Sequence, residues 1–219
     1  HSAEDMDEIR IIDNYRDLSL GDYQDICKIH NDETIDDLDK DIKVVCILTG
    51  KSEDTILDLP IVDYKNLTAK LDFLAKGIPD NGRIADSYLV GGYELIPVKD
   101  IRKVNTAQYI DFQTFHKLGM EEHFVEILSC LLVPKGKKYN QDYDILDVQS
   151  AIREEMNVYD GVSLYGFFMM SCKESIKDML TFSLQEAQKL TDPDKRETMV
   201  AEIRRQMILL ETDGVGLPM

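Results

Sequence analysis

A chain that repeats itself builds its fold from the repeated unit, and this one carries two diverged copies of a single pattern, at residues 18–76 and 104–175. Each copy opens with Tyr-x-Asp-apolar: Tyr23-Gln24-Asp25-Ile26 in the first and Tyr109-Ile110-Asp111-Phe112 in the second. Each then runs into an apolar stretch centred on a cysteine and closed by a turn. These stretches are Val45-Cys46-Ile47-Leu48-Thr49-Gly50-Lys51 and Ser129-Cys130-Leu131-Leu132-Val133-Pro134-Lys135-Gly136. A third block keeps register: Leu59, Ile61, Asp63, Leu67 and Leu71 align with Met156, Val158, Asp160, Leu164 and Phe168. The apolar spacing inside the blocks is helical. The expectation is a mainly α fold of two tandem helical units bridged by a β-hairpin, with C-terminal helices and a minor β component.

Local signals divide the chain further. Residues 1–17 read as an arm that docks through Ile9, Ile11 and Ile12. Asp22 is placed to cap the first helix, Gly50 to end the second, Ser52 to start a short third, and Pro60 to separate it from a helix reaching about Ala75. Residues 77–103 form the connector, where Gly91-Gly92 between Ser87-Tyr88-Leu89-Val90 and Tyr93-Glu94-Leu95-Ile96 predicts a tight hairpin. After Cys172, residues 173–190 predict a helix with Ile176, Met179, Leu180, Leu184 and Ala187 on one face. Asp192-Pro193 breaks it and opens the last helix within a C-terminal segment spanning 176–219.

Charge restricts the partners. With 25 basic against 42 acidic side chains, the net charge of −17 repels phosphate backbones and anionic lipid, so neither nucleic acid nor membrane is an expected partner. Basic protein surfaces are attracted instead. Cys27, Cys46, Cys130 and Cys172 form no CxxC pair and read as reduced thiols, with Cys46 and Cys130 in the core of their units. A carboxylate at either position would be buried without a partner. No apolar run approaches the length of a membrane span, and no basic stretch followed by an apolar run marks an export leader.

Chemical motifs fail for want of specific residues. Thr49-Gly50-Lys51-Ser52 resembles the end of a phosphate-binding loop, but Val45 stands where the first glycine must be. The four histidines supply no HExxH motif, Glu121-Glu122-His123 reads as a solvated helix start, and Asp36, Asp37, Asp39 and Asp41 lack the glycine and distal glutamate of a calcium loop. No nucleophile elbow is present. No catalytic, cofactor or metal residues are therefore assigned. The candidate partner-binding residues are Met199, Ile203, Met207 and Leu210, which recur at helical spacing, and Leu217 in the tail; this stripe either packs on the body or docks a partner.

Three stretches also carry a resemblance: Gln108-Tyr109-Ile110-Asp111-Phe112, Leu131-Leu132-Val133-Pro134-Lys135-Gly136-Lys137-Lys138-Tyr139 and Gly166-Phe167-Phe168, echoed in the first copy by Tyr23, Ile47-Leu48-Thr49-Gly50 and Leu59-Pro60. They resemble small acidic structural-module proteins of tailed bacteriophages, of the crAss-like and Bacteroidales phage group, described as tail-assembly-chaperone-like. The resemblance spans about residues 18–170 and consists of packing patterns. It implies a non-enzymatic viral protein, retained in the virion or acting as a tail assembly chaperone, located in the virion or the host-cell cytoplasm. Its partners would be other phage structural proteins with basic or apolar docking surfaces, and a homo-oligomer is compatible. The alternative is a cytosolic acidic helical adaptor for a basic protein.

Overall fold

In the computed structural model, which describes residues 9–79 and 83–212, helix starts follow from short polar side chains that accept the first free amide protons. Ser19 caps α1 (Leu20–Asn31), Asp36 caps α2 (Asp37–Thr49) and Ser52 caps α3 (Glu53–Leu57). Asn105 caps α5 (Thr106–Leu118) and Asp144 caps α7 (Ile145–Glu155). The α1 cap is thus Ser19 rather than Asp22, which sits in the first turn and donates its amide to the Ser19 hydroxyl at 3.1 Å. Gly50 ends α2 in the left-handed conformation, with φ of 66°. The remaining helices are α4 (Ile61–Ala69), continued by a 3-10 turn over Lys70–Ala75, then α6 (Phe124–Leu131), α8 (Val158–Gln188) and α9 (Pro193–Thr212).

The connector supplies β1 (Tyr88–Val90) and β2 (Tyr93–Pro97), paired antiparallel with Val90 opposite Tyr93 across a two-residue loop. That loop needs positive φ at both central positions, and Gly91 and Gly92 have 54° and 80°. Gly91 is constrained twice over, since a Cβ there would lie 2.5 Å from the Ala151 Cβ, and its amide donates to Glu155 at 2.8 Å. A third strand, β3 (Leu132–Pro134), pairs antiparallel with β2. The apolar stretch around Cys130 therefore ends as a strand, where the sequence reads only as a turn. The whole is mainly α, with nine α-helices and one small antiparallel sheet among the described residues.

The chain forms two compact units, residues 1–97 with 105–164 and residues 98–104 with 165–219. These boundaries cut across those drawn from sequence, because the two helical copies interlock in the first unit. The Gln24 side chain accepts from the Val125 amide at 2.7 Å and donates to Glu126 at 3.2 Å. The Leu20 amide donates to the Met156 carbonyl at 2.8 Å, and the Asp25 carboxylate pairs with Arg153. At Gly161 a Cβ would lie 2.2 Å from Leu20 Cδ1, so α8 crosses α1 where only glycine fits without movement of Leu20.

The copies share a run of four helices, interrupted by β3 in the second, and are packed unequally. Ile26 and Phe112 are both buried, as are Leu67 and Leu164. Val158, by contrast, is fully buried in the first copy's core while its counterpart Ile61 is exposed. The start of α8 has the first copy to pack on, through Val158 N–H to the Leu18 carbonyl, and the start of α4 has no equivalent contact among the described residues. The N-terminal arm, read from sequence as a docked strand or helical turn, forms neither over residues 9–13, yet Ile11 is buried and the Ile12 amide donates to the Leu48 carbonyl at 3.0 Å.

Candidate functional site

The signature aspartates of the two copies hold structure. Asp25 is tied to Arg153, and Asp111 accepts from the Tyr139 hydroxyl at 2.8 Å. That hydroxyl lies 3.5 Å from the Cys130 sulfur. Burial pushes the thiols of Cys27 and Cys130 up to about 11 and that of Cys172 up to about 12. A nucleophilic cysteine needs the opposite shift, and burial fits these thiols to packing. Burial also raises the Tyr23 and Tyr139 hydroxyls well above the usual phenol range.

The other polar motifs are absorbed locally. Asp36 caps α2 through the Asp39 amide at 2.9 Å. Glu122 accepts from Asn31, and His123 lies against Phe115 with ring centroids 6.1 Å apart. The Gly50 turn is a helix C-cap whose N–H donates to the Cys46 carbonyl at 2.9 Å. The described residues hold no group of three or more His, Cys, Asp or Glu arranged to hold a metal ion. No described helix is long and apolar enough to cross a membrane. An open cleft of about 970 Å³ lies between the N-terminal arm and the end of α2, where Arg10 and Lys70 are mixed with Asp13 and Asp17. Its charges of both signs define no single ligand chemistry.

The partner-binding stripe resolves into an internal part and an exposed part. In the second unit, α8 and α9 form a helical hairpin with an apolar cluster of buried Leu180, Ala187 and Ile203, with Ile176, Leu184, Val200, Met207 and Leu210 packed around them. Ile203, Met207 and Leu210 therefore face α8, while Met199 at the edge is 48% exposed. Leu217 lies outside the described residues. The turn into α9 follows from Asp192, whose carboxylate accepts from the amides of Asp194 and Lys195, with Pro193 at the first helical position.

Sequence periodicity missed the exposed apolar groups of this hairpin. Met179 reads as part of the inner face of α8 yet is 56% exposed, and Phe182, one turn on, is 63% exposed. The inner face is narrower, at Ile176, Leu180, Leu184 and Ala187. Residues 173–190, read as a separate helix, instead continue one 31-residue helix from Val158. On α9, Ile208 and Leu209 point away from the inner stripe. Their signal lay in the break of the three-or-four spacing: two adjacent apolar residues cannot both face one neighbour.

Charge is divided between the units. Residues 98–104 and 165–219 carry ten acidic and ten basic side chains, so the entire formal charge of −17 belongs to the other unit, with 32 acidic and 15 basic. The chain matches no family model, no curated protein and no solved structure in the comparisons made with each.

Proposed function

We propose that this chain is a non-enzymatic protein-interaction scaffold whose acidic unit engages a basic surface. Following the resemblance, we place it among the structural or assembly proteins of a tailed bacteriophage, as a virion component or a tail assembly chaperone. The observation that carries the reading is the division of charge. The −17 confined to one unit provides a long-range attraction that steers a basic partner, and the neutral helical hairpin with exposed Met179, Phe182, Met199, Ile208 and Leu209 offers apolar contact without that field. The buried, protonated thiols support a packing role for the cysteines.

The test is to quantify the chain by mass spectrometry in purified particles and in the lysate of the cells that produce them. A fixed stoichiometry in finished particles supports a virion component. Presence in lysate bound to a tail protein, and absence from particles, supports a chaperone. Salt-sensitive co-purification with a basic host protein, with no phage protein bound, replaces the phage setting with a cytosolic adaptor. A stoichiometric cofactor, or turnover in the purified chain, overturns the scaffold reading itself.

A further inference from the structure

The outward side of α9 has a polarity along its length. Helical periodicity puts Asp194, Ala201, Arg205 and Ile208 on the side opposite the buried Ile203, with Glu197, Thr198, Arg204 and Leu209 beside them, and all eight are exposed. Asp194 and Glu197 occupy the first half of this face and Arg204 and Arg205 the second, where Glu202 lies at the flank, paired with Arg205. A small residue, Ala201, lies between them. Glu197 is four residues before Ala201 and Arg205 four residues after it, so each charge stands about 6 Å of helix rise from the midpoint.

We propose that this face is an interface with a second copy of the same chain, in which two α9 helices cross antiparallel at Ala201 about a twofold axis. A twofold contact must be self-complementary. Antiparallel pairing about Ala201 sets Glu197 of each copy opposite Arg205 of the other, and lays Leu209 over the Pro193 turn. Parallel pairing would instead stack Arg204 and Arg205 on their own copies. Ala201 lets the backbones approach, as a larger side chain at the crossing would not.

Two further features favour a second copy over a different partner. The unit that carries α9 has no net charge, so it adds no repulsion of its own between two copies, whereas the −17 on the other unit opposes self-association by any surface of its own. In addition, Arg205 donates two hydrogen bonds to Glu202 on its own helix, at 2.7 and 3.0 Å, and this solvent-exposed pair is the contact that pairing with a second copy would exchange.

Sedimentation of the full chain over roughly 1 to 500 µM tests this, since an interface of one helix face belongs to the micromolar class. The expected result is a monomer–dimer equilibrium. By twofold symmetry Glu197→Arg alone or Arg205→Glu alone breaks both copies of the pair at once, and each should weaken association about tenfold. The double variant should restore it, and Ala201→Glu should abolish it. Circular dichroism should stay unchanged throughout, because all three positions are exposed. A monomer over the whole range overturns the proposal. So does a dimer that both single variants leave intact, or one that the double variant fails to restore. The result is independent of the phage setting, which the particle measurement decides separately.

Discussion

In the first unit a single helix, α6, has Phe124, Ile127, Leu128 and Leu131 all at 1% exposure or less, whereas in the second unit the cluster joining α8 to α9 rests on Leu180, Ala187 and Ile203 at 2–8%, with Phe168 and Cys172 buried earlier on α8. The first unit also carries the whole net charge, and the second carries none. The two differences belong together. Self-repulsion destabilises a compact state, so a large negative charge is tolerable only where apolar burial is extensive enough to offset it. A two-helix hairpin with a thin core has no such reserve, and its charges are balanced, several of them paired one turn apart as in Lys189–Glu186 and Arg205–Glu202. The acidic field thus sits on the unit with the larger core, and the exposed apolar groups of the hairpin sit on the unit with the smaller one.

The largest expected effect breaks or confirms the difference in core size. Phe124→Ala should cost about 3–5 kcal/mol of global stability, because the ring is fully buried and its removal leaves a cavity beside Leu128 and Tyr23. Ile203→Ala should cost about 2 kcal/mol, the low end for a buried isoleucine, and should act on the hairpin alone. Urea unfolding with hydrogen exchange separates the two. If Ile203→Ala lowers the global midpoint as far as Phe124→Ala, the hairpin is part of one cooperative core and the contrast fails.

A second pair of variants asks whether the first unit is uniform. Cys130 is completely buried, with Asp111 already within its electrostatic reach, so Cys130→Asp should cost about 3–5 kcal/mol. Sequence gives Cys46 the same core role, but the structure leaves it half-buried in the last turn of α2, and Cys46→Asp should cost about 1 kcal/mol, mainly from a negative charge at a helix C-terminus. Thermal melts of the two variants measure the inequality. Equal losses would mean that both copies contribute equally to the core.

That inequality also marks how far the sequence could be read. Features set by neighbours in the chain were legible: the Gly50 cap, the Ser52 start, the Pro60 break, the Gly91-Gly92 hairpin and the Asp192-Pro193 turn all depend on residues within a few positions. Features set by distant partners were not. The strand Leu132–Pro134 exists because Leu95, Ile96 and Pro97 offer it an edge. The copies read as separate units because Gln24 gives no local sign that it will bond Val125, a hundred residues on. At the candidate site, the 3.6-residue spacing identified the stripe Met199, Ile203, Met207 and Leu210. Its direction depends on where α8 runs, and that sent three of the four inward. The outer face of α9 escaped notice because most of it is charged, with Asp194, Glu197, Arg204 and Arg205 exposed, so it reads as a solvated surface.

The smallest expected effect tests the electrostatic half of the contrast. Raising sodium chloride from 0.1 to 1 M shortens screening from roughly 10 Å to roughly 3 Å. In the first unit, 32 acidic side chains repel one another over distances longer than the shorter value, so its stability should rise by about 1–2 kcal/mol. In the hairpin, the same salt weakens exposed attractive pairs worth a few tenths of a kcal/mol each, so α9 should open as readily or slightly more so. Hydrogen exchange of α6 and α9 amides at both salt concentrations reads the two responses in one sample. Opposite signs mean that repulsion is confined to the first unit. A rise of equal size in both helices would mean that the acidic field reaches the hairpin, and the neutral surface on which a second copy could settle would be lost.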